Sequence, residues 1–420
     1  MIIPFSEIVN TQKGKNPLVK SKTKLNGYIP YIDIKAFEQG IFDTYTDGNK
    51  CLLCDDGDIL LVWDGARAGL VGVAYKGAVG STLVRIDVPL VEKKYVLYFF
   101  NFFSHELNAK LKGTGIPHIN HTLFNSLPFP LSPTSEQQRI VAKIDSLFSE
   151  LENGVTLLKN IKAQLAIYRQ AVLKWAFEQG HSAIIVKLCD IADIVGGITK
   201  GRDLTKCETI LLPYLRVANV QDGYLDLTNI KKIELKLEEK NKYLLQMDDV
   251  LYTEGGDKDK LGRGTIWKNE IKECVHQNHI FRARINTKMA LPKYVAYFSL
   301  TKSAKDYFFK KAKQTVNLAS INMTVLRSLS IPLPNLSEQQ AIVSAIESRL
   351  SVCDKLEQTI DQTIALSASL RQSILKKAFE GRLVPQDPND EPSEKLLERI
   401  KAEKAAVLAK QKQTWKRGKK

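Results

Sequence analysis

The chain has 420 residues, 44% of them apolar, with a formal charge of +15 and a pI near 9.3. Nothing in it resembles a run of about 18 apolar residues that would span a membrane, and the opening MIIPFSEIVN lacks the parts of a signal peptide, so a soluble cytoplasmic protein is expected. Six scattered cysteines in a long chain argue for reduced thiols, and the positive charge points to a polyanionic partner, nucleic acid first.

Residues 1–131 read as short strands broken by turns, as in GDILLVW (Gly57 to Trp63), which is the pattern of a mixed α+β domain. Pro133 and the TSEQ stretch then stop the preceding chain and offer Ser135 as an N-cap, so a helix is expected from about Glu136. Its apolar seam runs Ile140, Ile144, Leu147, Leu151, Leu158, Ile161, Leu165, Tyr168, Val172 and Trp175, a heptad pattern broken only at Gly154. Residues 184–333 return to strand-and-turn character, as in DDVLYTE (Asp248 to Glu254). A second helix, with Ser337 as its expected cap, carries a looser seam through Ile346, Leu350, Cys353, Leu356, Ile360, Ile364, Leu370 and Ile374. Pro385, Pro388 and Pro392 are expected to end it, and Ser393 to cap a further charged helix whose basic end, KQKQTWKRGKK, reads as a solvated tail.

The chain repeats itself. PTSEQQRIVAKI (Pro133 to Ile144) returns as NLSEQQAIVSAI (Asn335 to Ile346), an offset of 202 (337 minus 135). The same offset relates INHTLFNSLPFPL (from Ile119) to INMTVLRSLSIPL (from Ile321), and YRQAVLKWAFEQG (from Tyr168) to LRQSILKKAFEGR (from Leu370). A period this long means two copies of a domain-sized unit, not a solenoid. The variable parts keep a shared skeleton, IPYIDI against LPYLRV and DGARAGLVG against EGGDKDKLGRG. Two seams that cannot stand alone in water can bury each other within the chain, which under a pseudo-twofold axis requires antiparallel helices; ordinary domain packing or a dimer between chains are the alternatives.

Catalytic signatures are missing: there is no G-x-x-x-x-G-K-[ST], no H-E-x-x-H and no Asn-Pro-Pro-aromatic tetrapeptide, and GGDKDKLGRG lacks the spacing of a dinucleotide loop. Cys51 and Cys54 have zinc-ligand spacing, but CLLC has no second pair and continues an apolar run, so no metal is expected. The basic, glycine-bearing loops suit a DNA backbone instead. Lys13, Lys15, Lys22, Lys24, Arg67, Lys112, Thr114 and His118 in the first half are candidate DNA contacts. Lys200, Arg202, Lys206, Lys258, Lys260, Arg263, Gln277, Asn278, Lys313, Gln314 and Asn317 are the candidates in the second. Among these, Arg202, Gln277, Asn278, Gln314 and Asn317 are types that read base edges by paired hydrogen bonds.

Variable domain, P-x-x-x-SEQQ-x-IV helix ending RQ-x-[VI]-L-K-x-AF, a second variable domain, the helix again and a LVPQDPNDEP tail together resemble the specificity (S) subunit of type I restriction-modification enzymes, over essentially the whole chain. PYLRVANVQDGYLDL, EGGDKDKLGRG and HQNHIFRAR also look like one widespread type of its target recognition domain, whereas the first domain, opening almost directly at FSEI, has loops less like the family's. The resemblance implies two target recognition domains (1–131 and 184–333), two conserved spacer helices (132–183 and 334–382) forming an antiparallel coiled coil, and a docking tail (383–420). It also implies a non-catalytic subunit that reads a bipartite, asymmetric double-stranded DNA site and docks two methyltransferase (M) subunits. Restriction (R) subunits join for cleavage. No cofactor is expected in this chain, because S-adenosylmethionine and ATP belong to the partners. A coiled-coil scaffold without DNA reading, or a fused methyltransferase or nuclease, are the competing functions.

Overall fold

The computed structural model describes residues 1–112, 117–179, 183–205, 207–256, 261–314 and 319–417, excepting the side chains of 256, 314 and 407–417. The chain divides into two compact units, residues 1–157 with 363–420, and residues 158–362. Two 44-residue helices, Thr134–Phe177 and Leu336–Phe379, each contribute one end to each unit. At 1.5 Å per residue each is about 66 Å long. Among the described residues, no helix is long and apolar enough to cross a membrane.

The first unit is built on an antiparallel sheet in the order Asn10–Lys13, Leu83–Asp87, Ile59–Val62, Val71–Val73. Against it lies the helix Lys93–Ala109, and an aromatic cluster forms the core: Phe5, Phe99, Phe100, Phe124 and Phe129 are all buried. The Phe99 and Phe129 rings stand 4.8 Å apart, edge to face. Ile140 and Ile144 of the first long helix, Leu375 and Phe379 of the second, and Leu396 and Ile400 of the last helix, Ser393–Arg417, close this core.

The second unit repeats the same sheet order with Ala192–Gly196, Ile280–Ile285, Val250–Thr253 and Gly264–Ile266. Its core joins Tyr252, Phe281, Tyr294 and Phe308 to Leu173 and Ala176 of one long helix and Ile342 and Ile346 of the other. A second, three-stranded sheet places Val275–His276 parallel to Thr209–Leu215.

The repeated SEQQ motif is a stitch. Gln137 and Gln339 are both fully buried. The side-chain oxygen of Gln137 accepts from the Glu92 backbone N–H at 2.9 Å, and its amide donates to the Ser132 carbonyl at 2.7 Å. Gln339 likewise accepts from Leu291 N–H at 2.8 Å and donates to Pro334 at 2.8 Å and Met289 at 3.2 Å. Each glutamine thus satisfies backbone groups that neither a strand nor a helix would pair. Lys94 with Asp145 (2.8 Å) and Lys293 with Glu347 (2.7 Å) tie the same elements on the surface.

Three expectations need correction. The long helices begin at Thr134 and Leu336, ahead of the serines expected to cap them. The Asn335 side chain caps the second helix by accepting from Glu338 N–H at 3.0 Å, and the Ser135 hydroxyl instead donates to Asp390 at 2.5 Å. The second long helix ends at Phe379, capped by Gly381 and not by the prolines. Gly381 adopts φ +68, and the bond from Arg382 N–H to the Lys377 carbonyl at 2.8 Å closes the helix in the manner of a glycine C-cap. The heptad seam is also thinner than its pattern: Ile161, Tyr168 and Trp175, and Leu356 and Leu370, are exposed. Charge takes over there. Within the second unit Lys162 meets Asp361 at 2.7 Å, Arg169 meets Asp354 at 2.7 Å and Glu357 at 3.0 Å, and the Arg349 guanidinium lies 4.0 Å from the Trp175 ring centroid. Within the first, Arg371 meets Glu152 at 2.8 Å and covers the Phe148 ring.

Candidate nucleic-acid interface

In the second unit, four segments far apart in sequence meet at one end of the main sheet. Ile198 N–H donates to the His276 carbonyl at 2.8 Å and Asn278 N–H to the Ile198 carbonyl at 3.0 Å, fixing the loop that carries Lys200 and Arg202 against Gln277 and Asn278. Glu254 N–H donates to the His279 carbonyl at 2.9 Å, and Ile321 N–H to the Glu254 carbonyl at 2.8 Å. Gly255–Gly256, Ala319–Ser320 and Lys313–Gln314 then form a small antiparallel sheet. Lys200, Arg202, Gln277, Asn278 and Lys313 are therefore carried on one converging set of loops, held by backbone bonds to rigid strands.

Their side chains are not all equally available. Arg202 donates from Nη1 alone to both oxygens of the Glu239 carboxylate, at 2.8 and 3.0 Å, so that nitrogen is already engaged. Lys200 lies 5.4 Å from the Tyr214 ring centroid, and Arg263 is hydrogen-bonded to Gln221. Gln277 and Asn278 are half-exposed. Lys206, Lys258, Lys260 and Asn317, the Gln314 side chain and, in the first unit, Thr114 lie outside the described residues.

Beneath the Gln277 loop is a buried charged layer that sequence reading missed. Asp249 is fully buried and accepts two bonds from Arg284, both at 2.8 Å, while buried Arg282 donates to Asp193 at 2.7 Å. His276, also fully buried, shares Nδ1 with the Tyr243 carbonyl at 3.2 Å. Burial and then the nearby Arg282 charge push its pKa down to about 4, so the ring is neutral at pH 7. The alternating arginines of HQNHIFRAR are the signal that could have found this layer, because two cations on a buried strand need a carboxylate.

In the first unit, Lys13, Lys112 and His118 gather around Asp64. Lys13 Nζ is 2.6 Å from the Asp64 carboxylate, Asp64 and His118 share an antiparallel bridge, and Lys112 and His118 exchange backbone bonds of 2.9 and 2.8 Å. Arg67 lies on the adjoining hairpin, paired with Glu38. Lys22 is placed elsewhere, 3.5 Å from the Thr44 hydroxyl beside the Ser21–Tyr45 bridge, and Lys15 and Lys24 are exposed on the strap that leads there. Cys54 is buried, with its thiol 3.5 Å from the Gly77 carbonyl; burial raises its pKa to about 11, so the thiol stays protonated. Among the described residues no cluster of three or more His, Cys, Asp or Glu could hold a metal ion.

This fold is similar to that of solved structures. It overlays, with a TM-score of 0.64 and 19% identity, on a chain from a study of complex assembly and conformational transition of the type I R-M system, covering 91% of this chain and 98% of that one. The HsdS subunit from Thermoanaerobacter tengcongensis gives a TM-score of 0.54 at 19% identity, covering 91% of this chain and 97% of that one. In sequence, the chain is 29% identical over 448 residues to the type I restriction enzyme EcoKI specificity subunit of Escherichia coli (strain K12), spanning 97% of this chain and 96% of that protein. Residues 2–163 and 184–366 match the family described as type I restriction modification DNA specificity domain. With the match covering most of the chain in two successive stretches, this protein belongs to the type I restriction modification DNA specificity domain family.

Proposed function

We propose that this chain is the DNA-specificity subunit of a type I restriction-modification enzyme, a non-catalytic reader that directs partner methyltransferase and restriction subunits to a bipartite, asymmetric double-stranded DNA site. Residues 1–131 and 184–333 serve as the two target recognition domains, 132–183 and 334–382 as spacer helices, and 383–420 as a docking tail. The single observation that carries the reading is the family match in two stretches over two units of one sheet order, each with its own converging basic loops. The complex works in the cytoplasm.

The paired helices act as an antiparallel coiled coil under a pseudo-twofold axis, setting the gap between half-sites and docking two methyltransferase subunits. In support, partner numbers fall along one helix as they rise along the other: Lys162 with Asp361, Arg169 with Asp354. Lysines and arginines of the loops position the protein on phosphates, and Gln277 and Asn278 are the foremost candidates for base edges. Lys13, Lys112, His118, Lys200 and Lys313 are the foremost backbone contacts, with Lys15, Lys22, Lys24, Arg67, Lys206, Lys258, Lys260 and Arg263 adding to the field. S-adenosylmethionine and ATP are used by the partners.

Exchanging residues 184–333 for the equivalent segment of a relative tests the reading. One half of the methylated motif should change and the other stay. A change in both halves would contradict independent readers.

A further inference from the structure

Glu254 places a carboxylate at an edge where a carboxylate works against phosphate. Its main chain is fixed from both sides by the bonds to His279 and Ile321, directly after the strand Val250–Thr253, whose four residues are all buried. On one flank Gly255 runs so close to the Ala319 carbonyl that a Cβ would stand 2.5 Å from it, and on the other a Cβ at Gly197 would stand 2.1 Å from the His276 carbonyl. The neighbouring turns thus pass as bare backbone, locking the 276–279 loop in place.

The carboxylate is oriented as well as anchored. Oε2 of Glu254 lies 2.5 Å from Nδ1 of His279, and Nε2 of His279 lies 3.3 Å from the side-chain amide of Asn278. With Nδ1 donating to the carboxylate, Nε2 accepts from Asn278, so three side chains form one relay, with Glu254 and His279 32% and 52% exposed. Among the described residues, the neighbouring acids Asp203 and Glu239 are engaged locally: Asp203 accepts from Thr205 of its own turn and Glu239 holds Arg202. An ionised carboxylate has about four lone-pair sites, so the bond to His279 leaves it able to accept another donor. On a major-groove edge the donors are exocyclic amino groups, N4 of cytosine and N6 of adenine, whereas N7, O6 and O4 are acceptors that a carboxylate repels.

We propose that Glu254 is a specificity-determining residue that accepts a hydrogen bond from an exocyclic amino group in the half-site read by the second unit, with His279 as its positioning residue. The assignment rests on the reading of that unit as a recognition domain.

The test uses the full chain with its methyltransferase partner in a host without DNA modification, mapping methylated motifs for wild type, E254Q, E254D and H279A. E254Q keeps the shape and removes the charge. It should relax one base pair of the half-site assigned to the second unit by about tenfold in discrimination, the scale of one good base contact, with the other half-site unchanged. H279A should relax the same pair more weakly, which a general loss of structure would not do. The identity of the relaxed pair, C·G or A·T, tells which amino group is read. If E254Q fails to fold, E254D, which withdraws the carboxylate by one methylene, decides the same question. A wild-type motif carried unchanged by the folded variants would overturn the assignment alone. A wild-type chain with no motif at all would overturn the recognition reading beneath it.

Discussion

Asp390, in the segment after the second long helix, accepts from the Arg139 guanidinium at 2.6 and 3.2 Å and from the Ser135 hydroxyl at 2.5 Å, 251 and 255 residues earlier in sequence. The Arg139 bond, then the Ser135 bond, hold the Asp390 carboxyl below the usual range. Two further contacts bring the last helix to the chain's start: Lys401 pairs with Glu7 at 2.7 Å and Lys404 donates to the Ser6 carbonyl at 2.7 Å. Asp390→Asn should therefore loosen residues 383–406 without unfolding the unit, read as faster amide exchange there and unchanged exchange in the strand Ile59–Val62. Because the folded pKa is depressed, the clamp contributes fully above the ordinary aspartate pKa and is lost as pH falls through the folded value. Equal protection of the tail in the variant would contradict the clamp.

Gln339→Met keeps most of the side-chain volume but leaves the Leu291 N–H and the Pro334 carbonyl without their partner. Leaving buried polar groups unpaired should cost about 2 kcal/mol. The unfolding transition of the second unit should drop in chemical denaturation, and Gln137→Met should do the same to the first. Unaltered midpoints would mean that the stitch is dispensable.

His276 supplies a pH dependence. Its folded pKa of about 4 lies below the ordinary value of 6.5, so the unfolded chain binds the proton first as pH falls. Stability is full above about 6.5 and is lost progressively between 6.5 and 4, by roughly 3 kcal/mol from this ring. His276→Gln should flatten the unfolding temperature of the second unit across that window. The same slope in the variant would assign the acid sensitivity to other groups.

Much of this was legible in the sequence, and the exceptions have physical causes. The strands Ile59–Val62 and Val250–Thr253, the two long helices and the repeat follow from local patterns, since periodicity and caps act over a few residues. Partners distant in sequence were not legible. Nothing in TKGRDLTK announces that Arg202 is held by Glu239, nor in TSEQ that Ser135 serves Asp390 instead of its own helix. The same holds for Glu254, which looks like strand-end punctuation until His279 is brought to it.

The spacer reading makes a metric claim. Inserting one heptad at matched positions in both long helices adds about 10 Å, close to three base pairs of duplex. The unspecified gap in the recognised motif should lengthen accordingly, as read by mapping methylated sites. Recognition with an unchanged gap would refute the helices as the ruler.

The most direct test of the central claim is to express the chain with its methyltransferase partner in a host lacking DNA modification and map methylated adenines by single-molecule sequencing. The account predicts a two-part, gapped motif that disappears when this chain is omitted. A stable complex that methylates no motif, or one continuous motif without a gap, would contradict it.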